Sequence, residues 1–375
     1  MPLGAPRVLQ VALSLNPGGT ERLVVELAAR LNDDLPTMIC CLDELGSWAR
    51  EAEARGVQVR ALRRKPGFNP SLGLALARLA REHDAGVIHA HHYSPFVYGC
   101  LARLRHPSMQ LVFTEHGRLS DTPPSRKRRA ANRLLARCPR RVFTVSEDLR
   151  RHLVAEGFSG SAVSVIYNGI AVGPLPTAAE RAAVRRELGL ADGVFVIGSI
   201  GRLDAVKDFG TLIEAVARLP SAINPTLVIV GDGPERARLE TLARSESGPP
   251  RVRFLGHRDD ARAWLAGCDV YVNCSVSEGI SLTILEGMAA GLPIVATRVG
   301  GTPEIVDDSC GRLIAPRSSL VLADTLQAFA EHPALRGELG LAARRRVEDR
   351  FTLERMVGEY RDVYLSTSRS PGSTP

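Results

Sequence analysis

Short apolar runs alternate with amphipathic stretches along nearly the whole chain, and the alternation starts twice. In the first half, RVLQVALSL (7–15), TMICCL (37–42), VQVRAL (57–62), AGVIHA (85–90), QLVFTEH (110–116) and RVFTVSE (141–147) read as strands. Several are apolar almost throughout, the pattern of parallel strands covered on both faces. Between them, ERLVVELAARL (21–31) and PSLGLALARLAREH (70–83) place apolar residues at helical spacing. The second half repeats the scheme with VFVIGSIG (194–201), TLVIVGDG (226–233), VRFLGH (252–257), DVYVNCS (269–275), PIVATRVGG (293–301) and GRLIAP (311–316). AVGPLPTA (171–178), with two prolines and a glycine, reads as a linker. Repeated strand–helix alternation predicts the α/β class with a doubly wound parallel sheet in each half. The expectation is two Rossmann-like domains, residues 1–170 and 178–350, facing each other across a cleft. The polar tail 366–375 is expected to be disordered.

Composition narrows this picture. A chain of 375 residues is too long for one ordinary core, and 45% hydrophobic with 24% charged residues is the balance of a globular protein. No apolar run reaches the ~18 residues of a membrane-spanning helix. The N-terminal stretch alternates like a strand and lacks the apolar core of a signal peptide, which favours a cytoplasmic protein. Seven cysteines, an odd number with no CxxC, read as reduced thiols and not as a disulfide framework or zinc site. The net charge of +7 is uneven: residues 1–170 carry 24 Lys+Arg against 15 Asp+Glu, and residues 171–375 carry 24 against 26. The basic half should attract a phosphate-bearing substrate or an anionic membrane surface. Few aromatics and no nucleic-acid module argue against nucleic acid. In SRKRRAANRLLARCPRR (125–141), Arg126, Lys127 and Arg128 lead into Arg129, Arg133 and Arg137 at helical i, i+4, i+8 spacing. Such a face can dock on anionic lipid or simply be solvated. Lys65, Lys127 and Lys207 are the chain's three lysines; its other cations are arginines.

Doubly wound sheets bind ligands beyond the carboxyl ends of their strands, so residues that follow strands carry the candidate chemistry. Gly18 and Gly19 lie between a strand and a helix, where backbone amides can approach an anion or merely form a tight turn. Arg202 and Lys207 follow IGSIG and could hold a diphosphate, the first as a planar fork and the second as a point charge. In SEGISLTILEGMAAG, Glu278 and Gly279 precede a helix expected to start near Ser281, whose first amides are free for a phosphate. Glu278 and Glu286, eight residues apart on one helix, would stand about 12 Å apart. That excludes a shared-proton dyad and suits hydroxyls at the two ends of a long ligand. His116 ends a strand at the ligand-binding edge. HAHH (89–92) suggests a metal cluster, but adjacent histidines on a strand point to opposite faces, and no other ligands complete a site. No DxD pair occurs to hold Mg²⁺. No metal and no bound cofactor are expected.

With these motifs in order, the chain resembles the retaining glycosyltransferases of family 4, which have the GT-B fold. GGTE (18–21), TEHG (114–117), TVSE (144–147), NGI (168–170), GRLDAVKD (201–208), GDGP (231–234), FLGHRDD (254–260), EGISLTILE (278–286) and GGTPEIV (300–306) carry the likeness. TEHGR and GRLDAVKD are most similar to bacterial members linked with exopolysaccharide assembly. The resemblance implies that Glu278 contacts donor-sugar hydroxyls, Glu286 the ribose, and Arg202 and Lys207 the diphosphate. Gly279, Ile280, Ser281 and Leu282 would supply the loop and helix start whose amides meet phosphate or sugar. His116 would lie near the anomeric centre, Gly18 and Gly19 would close over the donor, and Gly256, His257 and Arg258 would pack by the base. A C-terminal helix at about 352–366 would return to the first domain. Ala171 departs from the family, which often has Asp there, and the departure touches the linker. The implied activity is transfer of a sugar from a nucleotide-sugar substrate, UDP- or GDP-linked, with retention by front-face attack and without metal, to a glycan or lipid-linked acceptor at the cytoplasmic side of the membrane. A sugar-nucleotide epimerase and a non-catalytic sugar-nucleotide-binding protein are the alternatives.

Overall fold

The structure is a computed structural model that describes residues 5–118, 124–245, 251–258 and 260–368. The chain forms two compact units, one of Met1–Asn168 with Glu354–Pro375 and one of Gly169–Leu353. Each is built on a parallel sheet, the α/β class that the strand–helix alternation implies.

The first unit contains β1 (Arg7–Ala12), β2 (Thr37–Cys41), β3 (Gln58–Ala61), β4 (Ala85–His91), β5 (Gln110–Glu115), β6 (Arg141–Thr144) and β7 (Val163–Val165). Their order is β3-β2-β1-β4-β5-β6-β7, so the winding reverses between β1 and β4. β7 escapes a reading by pattern because three residues are too few to show alternation. Apolar side chains on the strands pack under flanking helices; Phe113 of β5 stacks on Phe96 with centroids 4.3 Å apart. The helix Leu353–Ser368 belongs to this unit. Residues 366–368, expected to open a disordered tail, continue that helix, and the rest of the tail lies outside the described residues.

This helix is held by a buried polar row, because buried polar groups need partners. Tyr364 Oη accepts from Gln10 Nε2 (3.1 Å) and lies 2.6 Å from His89 Nδ1. His89 Nε2 meets Thr114 Oγ1 (2.8 Å), which meets Tyr360 Oη (3.1 Å). His91 Nε2 reaches Gln10 Oε1 (2.9 Å). Burial holds the imidazoles of His89, His91 and His116 well below the ordinary histidine range, and the neighbouring histidines add to this.

The second unit contains β8 (Phe195–Ile200), β9 (Pro225–Val230), β10 (Val252–Phe254), β11 (Val270–Asn273), β12 (Ile294–Thr297) and β13 (Gly311–Ile314), in the order β10-β9-β8-β11-β12-β13. Here the winding reverses between β8 and β11. The chain enters this unit at Gly169, ahead of the Pro/Gly segment 171–178 that reads as a linker; that segment lies inside the unit and runs into a helix capped by Thr177 and Glu180. Proline and glycine there mark irregular backbone just past the change of unit. Ile170 bridges in parallel to Thr352, where the chain leaves the unit again, and a Cβ on Gly169 would come within 2.1 Å of the Thr352 carbonyl oxygen. Asp269 accepts from Arg181 (2.6 Å), Arg185 (2.7 Å) and the Val196 amide (2.7 Å), fixing the entering helix to the sheet. No described helix is long and apolar enough to cross a membrane. All seven cysteines are free thiols, and all except Cys138 are buried.

Two consequences are testable. Gly231 has φ +143°, and a Cβ there would meet the Gly201 carbonyl oxygen at 1.9 Å. Gly231→Ala should therefore cost about 2 kcal/mol or more, lowering Tm by roughly 4–8 °C in thermal unfolding; an unchanged Tm would contradict this packing. The histidine row sets a pH dependence. A folded pKa depressed below the unfolded value of about 6.5 gives stability that is complete above pH 6.5 and lost as pH falls, because the unfolded chain takes the protons first. Tm should drop more between pH 7.5 and 5.5 in the wild type than in His89→Gln, and equal drops would refute the assignment.

Candidate active site

Loops at the carboxyl ends of β8 and β11 meet at the reversal of the second sheet. After β8, Asp204 caps a short turn by accepting from the amides of Val206 and Lys207, and this turn aims the lysine. Lys207 Nζ donates to Glu278 Oε1 at 2.5 Å. The same oxygen accepts from Ser275 Oγ (2.6 Å) and Asn273 Nδ2 (3.4 Å), and Oε2 accepts no bond from a described residue. A backbone bond from Val276 N to Val206 O (2.8 Å) joins the two loops a second time. Arg202, on the same loop, is exposed and has no ion pair among the described residues.

The helix that follows is Leu282–Ala289, with Ser281 at its N-cap. The sequence places Glu278 and Glu286 on one helix; Glu278 instead stands in the loop before it, so a helical rise does not set their separation. The Ser281 side chain caps no amide of the first turn and turns to Thr283 Oγ1 (3.2 Å). That leaves first-turn N–H groups free of a side-chain cap, the arrangement that receives an anion. Ile280 is buried, while Gly279 and Leu282 are partly exposed. The loop is packed from below by Gly300, whose φ is +50° and whose added Cβ would meet the Glu278 carbonyl oxygen at 1.8 Å. Gly287 seats the helix directly on the Tyr271 ring.

Glu286 lies on the second turn, partly buried, with Arg262 Nε 3.9 Å away. Arg262 also donates to the Ala171 carbonyl (2.8 Å), so this position keeps a polar contact through its backbone without an aspartate side chain. Gly256, with φ +71°, accepts from Gly231 N (2.8 Å). Next to it, His257 is exposed, and Arg258 is forked onto Asp260 (2.9 and 3.1 Å) and lies 4.8 Å from the centre of the Trp264 ring.

In the first unit, Gly18 is the N-cap of the helix Gly19–Leu31, and the loop sits beside the reversal between β1 and β4. His116 follows β5. His89 and His91 lie two apart on β4 and share a face, with centroids 4.1 Å apart, and His92 lies past the end of β4, so the expected opposite-face placement of adjacent histidines does not hold here. His116 Nε2 is 3.0 Å from His91 Nδ1. The Gln10 oxygen that His91 Nε2 reaches can only accept, so His91 carries its proton on Nε2, as assigned from this network. His116 Nε2 is then the donor to His91 Nδ1. His116 Nδ1 remains a bare acceptor, buried and without a partner among the described residues. Among those residues, no group of three or more His, Cys, Asp or Glu is arranged to hold a metal ion.

His92 was not singled out by pattern. It has φ 73° and ψ 164°, a region nearly reserved for glycine. Its Nδ1 meets buried Glu115 Oε1 (2.9 Å) and its Nε2 meets Thr20 Oγ1 (3.1 Å). Burial works against its charge, but the Glu115 hydrogen bond and the charges of Glu115 and Glu21 prevail and raise its pKa. Ser275, Asn273 and Gly300 were missed as well, since polar or small residues at strand ends carry no local signal. The basic stretch forms the helix Arg126–Leu135, with Ser125 accepting from the Arg128 amide. Arg137 lies past its end, and Arg128 is paired with buried Glu156 (2.9 Å), so neither fits the expected helical stripe. Arg126, Lys127, Arg129, Arg133 and Arg137 are exposed.

Comparison with known proteins places this arrangement. A model described as Glycosyltransferase Family 4 matches residues 17–173, and one described as Glycosyl transferases group 1 matches residues 194–332. The chain is 31% identical over 301 residues to a D-inositol 3-phosphate glycosyltransferase of Actinosynnema mirum, covering 73% of this chain and 72% of that one. It is 35% identical over 172 residues to the lipopolysaccharide core biosynthesis glycosyltransferase LpsE of Rhizobium meliloti, and there the match spans about half the length of that relative. The structure of Anabaena Alr3699/HepE in complex with UDP and glucose superposes with a TM-score of 0.85 at 25% identity, covering 96% of this chain and 99% of that one. The chain belongs to glycosyltransferase family 4.

Proposed function

We propose that the chain transfers a sugar from a nucleotide-diphosphate sugar, UDP-linked, to a glycan or lipid-linked acceptor, with retention and without a metal ion. The observation that carries this reading is the Lys207–Glu278 pair beside an uncapped helix start at the reversal of the second sheet. A diphosphate there competes with Glu278 for Lys207, gains Arg202, and faces first-turn amides. Glu278 keeps Oε2 for a sugar hydroxyl, and Glu286 takes the ribose. The UDP and glucose bound by the Anabaena protein support a UDP donor. On the first unit, His116 Nδ1 offers a lone pair to a hydroxyl.

In the reaction, the bond from the anomeric carbon to the diphosphate oxygen breaks, and a bond to the acceptor oxygen forms on the same face. The acceptor's proton passes to the departing phosphate oxygen, so no protein nucleophile takes part. The cations and helix amides stabilise charge as it grows on the leaving group. We place the protein at the cytoplasmic face of the membrane, supported by the exposed cations of the helix Arg126–Leu135 and by Leu134, 68% exposed among them. An envelope polysaccharide is the acceptor class that the lipopolysaccharide-related relative supports.

Lys207→Ala should lower kcat for donor turnover by roughly 10²–10³-fold with an unchanged far-UV spectrum; undiminished turnover would sink the assignment. The full chain should co-sediment with vesicles containing anionic lipid at low salt and be released as salt rises. Arg129→Glu with Arg133→Glu should abolish that sedimentation. Failure of the wild type to sediment would remove the membrane from the proposal.

A further inference from the structure

Among the seven free thiols, Cys138 alone is partly exposed, and the site described above uses none of them. Cys138 lies in a bend just past the helix Arg126–Leu135, where its amide donates to the Leu135 carbonyl (2.9 Å) and Pro139 follows. Folding sets it against the helix Tyr93–Arg105, on the apolar cluster that contains Cys100. The two thiols, distant in sequence, are hydrogen-bonded to each other. Arg103, one turn beyond Cys100 on the same helix, donates from Nη1 to the Cys138 carbonyl, which keeps a cation beside the pair.

The surroundings give the two sulfurs different characters. The bond to Cys138, and then burial, raise the pKa of Cys100, so it keeps its proton and is the donor. Cys138 accepts that bond, and the bond together with the Arg103 charge outweighs burial and lowers its pKa. A partly exposed thiol beside a cation, with a second thiol in contact, is the arrangement that peroxide oxidises first. Burial works the other way on Cys40, Cys41, Cys268, Cys274 and Cys310, raising each of their pKa values. The pair also sits at a joint. Tyr93, at the start of its helix, donates to Asn132 of the basic helix (2.5 Å), and Arg103, near the other end, holds Cys138. A covalent bond between the sulfurs would make this joint permanent and close the segment 101–137, which carries His116.

We propose that Cys138 and Cys100 form an oxidation site: a hydroperoxide converts them to a disulfide that fixes the basic helix Arg126–Leu135 to the helix Tyr93–Arg105. The Cys138 thiolate attacks one peroxide oxygen, the O–O bond breaks, and the leaving hydroxide takes the thiol's proton as water. Cys138 is then a sulfenic acid. The Cys100 sulfur attacks the Cys138 sulfur, an S–S bond forms as the S–O bond breaks, and the hydroxide leaves with the Cys100 proton as a second water. Two thiols have given two electrons to the peroxide. The test treats the full chain with hydrogen peroxide, removes the excess with catalase, and counts thiols after denaturation. The wild type should lose two thiols and yield, on digestion without reductant, one linked pair of peptides holding Cys100 and Cys138; dithiothreitol should restore both. Cys138→Ser, a change at a partly exposed position, should lose none. Cys100→Ala should lose one and carry dimedone on Cys138, which marks Cys138 as the sulfur that meets the peroxide. No thiol loss by the wild type, a link through any other cysteine, or equal loss in Cys138→Ser would overturn the proposal. Trypsin reads the effect on the basic helix. Cleavage between Arg126 and Arg137 should be about tenfold slower in the oxidised wild type than in the reduced, because it follows a local opening that the bridge opposes. Equal rates would refute the fixing of that helix.

Discussion

The ion pair between Lys207 and Glu278 is the constraint on which the second unit's ligand edge depends. It joins loops that leave β8 and β11, the two neighbouring strands from which the sheet winds in opposite directions. Pairing between strands ends with the strands, so the loop tips need a tie of their own. The pair is little exposed, which strengthens its attraction and raises the cost of desolvating both charges. Ser275 and Asn273 meet part of that cost by donating to the same carboxylate oxygen. Gly300 then brings the next loop against the Glu278 backbone, closer than any side chain would allow. An apolar contact could hold the loops equally well, but it could not be shared with an incoming diphosphate.

The first unit meets the same topological problem with different chemistry. Between β1 and β4 the tie is His92, bonded to Thr20 on one side and Glu115 on the other. Its backbone sits where a non-glycine residue costs about 1–3 kcal/mol. The cost is consistent with what the conformation achieves, since it turns the imidazole onto a buried carboxylate that would otherwise lack a cation. Beside this hydrogen-bonded pair runs a row of histidines whose pKa values burial holds low. Gln10 orients the row, and the proton positions that follow leave His116 Nδ1 as an acceptor. A neutral acceptor serves a hydroxyl, whereas the second unit's cations serve an anion.

Much of this was legible in the sequence. The strands are apolar nearly throughout because both faces are covered, and the doubled alternation followed from that. That Arg202, Lys207, Glu278 and the helix start after Ser281 follow strands was legible because the apolar runs before them end sharply. What could not be read was set by contacts between distant segments. His91 meets His116 only because β4 and β5 are neighbours in the sheet, and Gly300 matters only because the loop after β12 lies against the loop after β11. Arg128 looked like its neighbours until folding set it against Glu156. The proline and glycine of 171–178 give a strong local signal close to where the chain enters the second unit at Gly169, while the contact of Ile170 with Thr352 there joins segments far apart in sequence.

Charge type extends the same logic. Many of the arginines described here are pinned within the chain: Arg64 forks onto Asp43 and Arg258 onto Asp260, Arg181 and Arg185 each take one oxygen of Asp269 and further carbonyls, and Arg128 pairs with Glu156. A guanidinium presents several fixed donors, so once two are engaged its plane is committed. An ammonium has one head on a flexible stem and changes partner with less rearrangement. The chain places its three lysines at the Glu278 pair, in the loop before Phe68, and on the exposed basic helix. Under the proposed function, a diphosphate entering at the first of these would displace a carboxylate. A fork at Lys207 would grip Glu278 with two bonds and release it less readily, so a lysine there suits the exchange that the proposed donor binding requires.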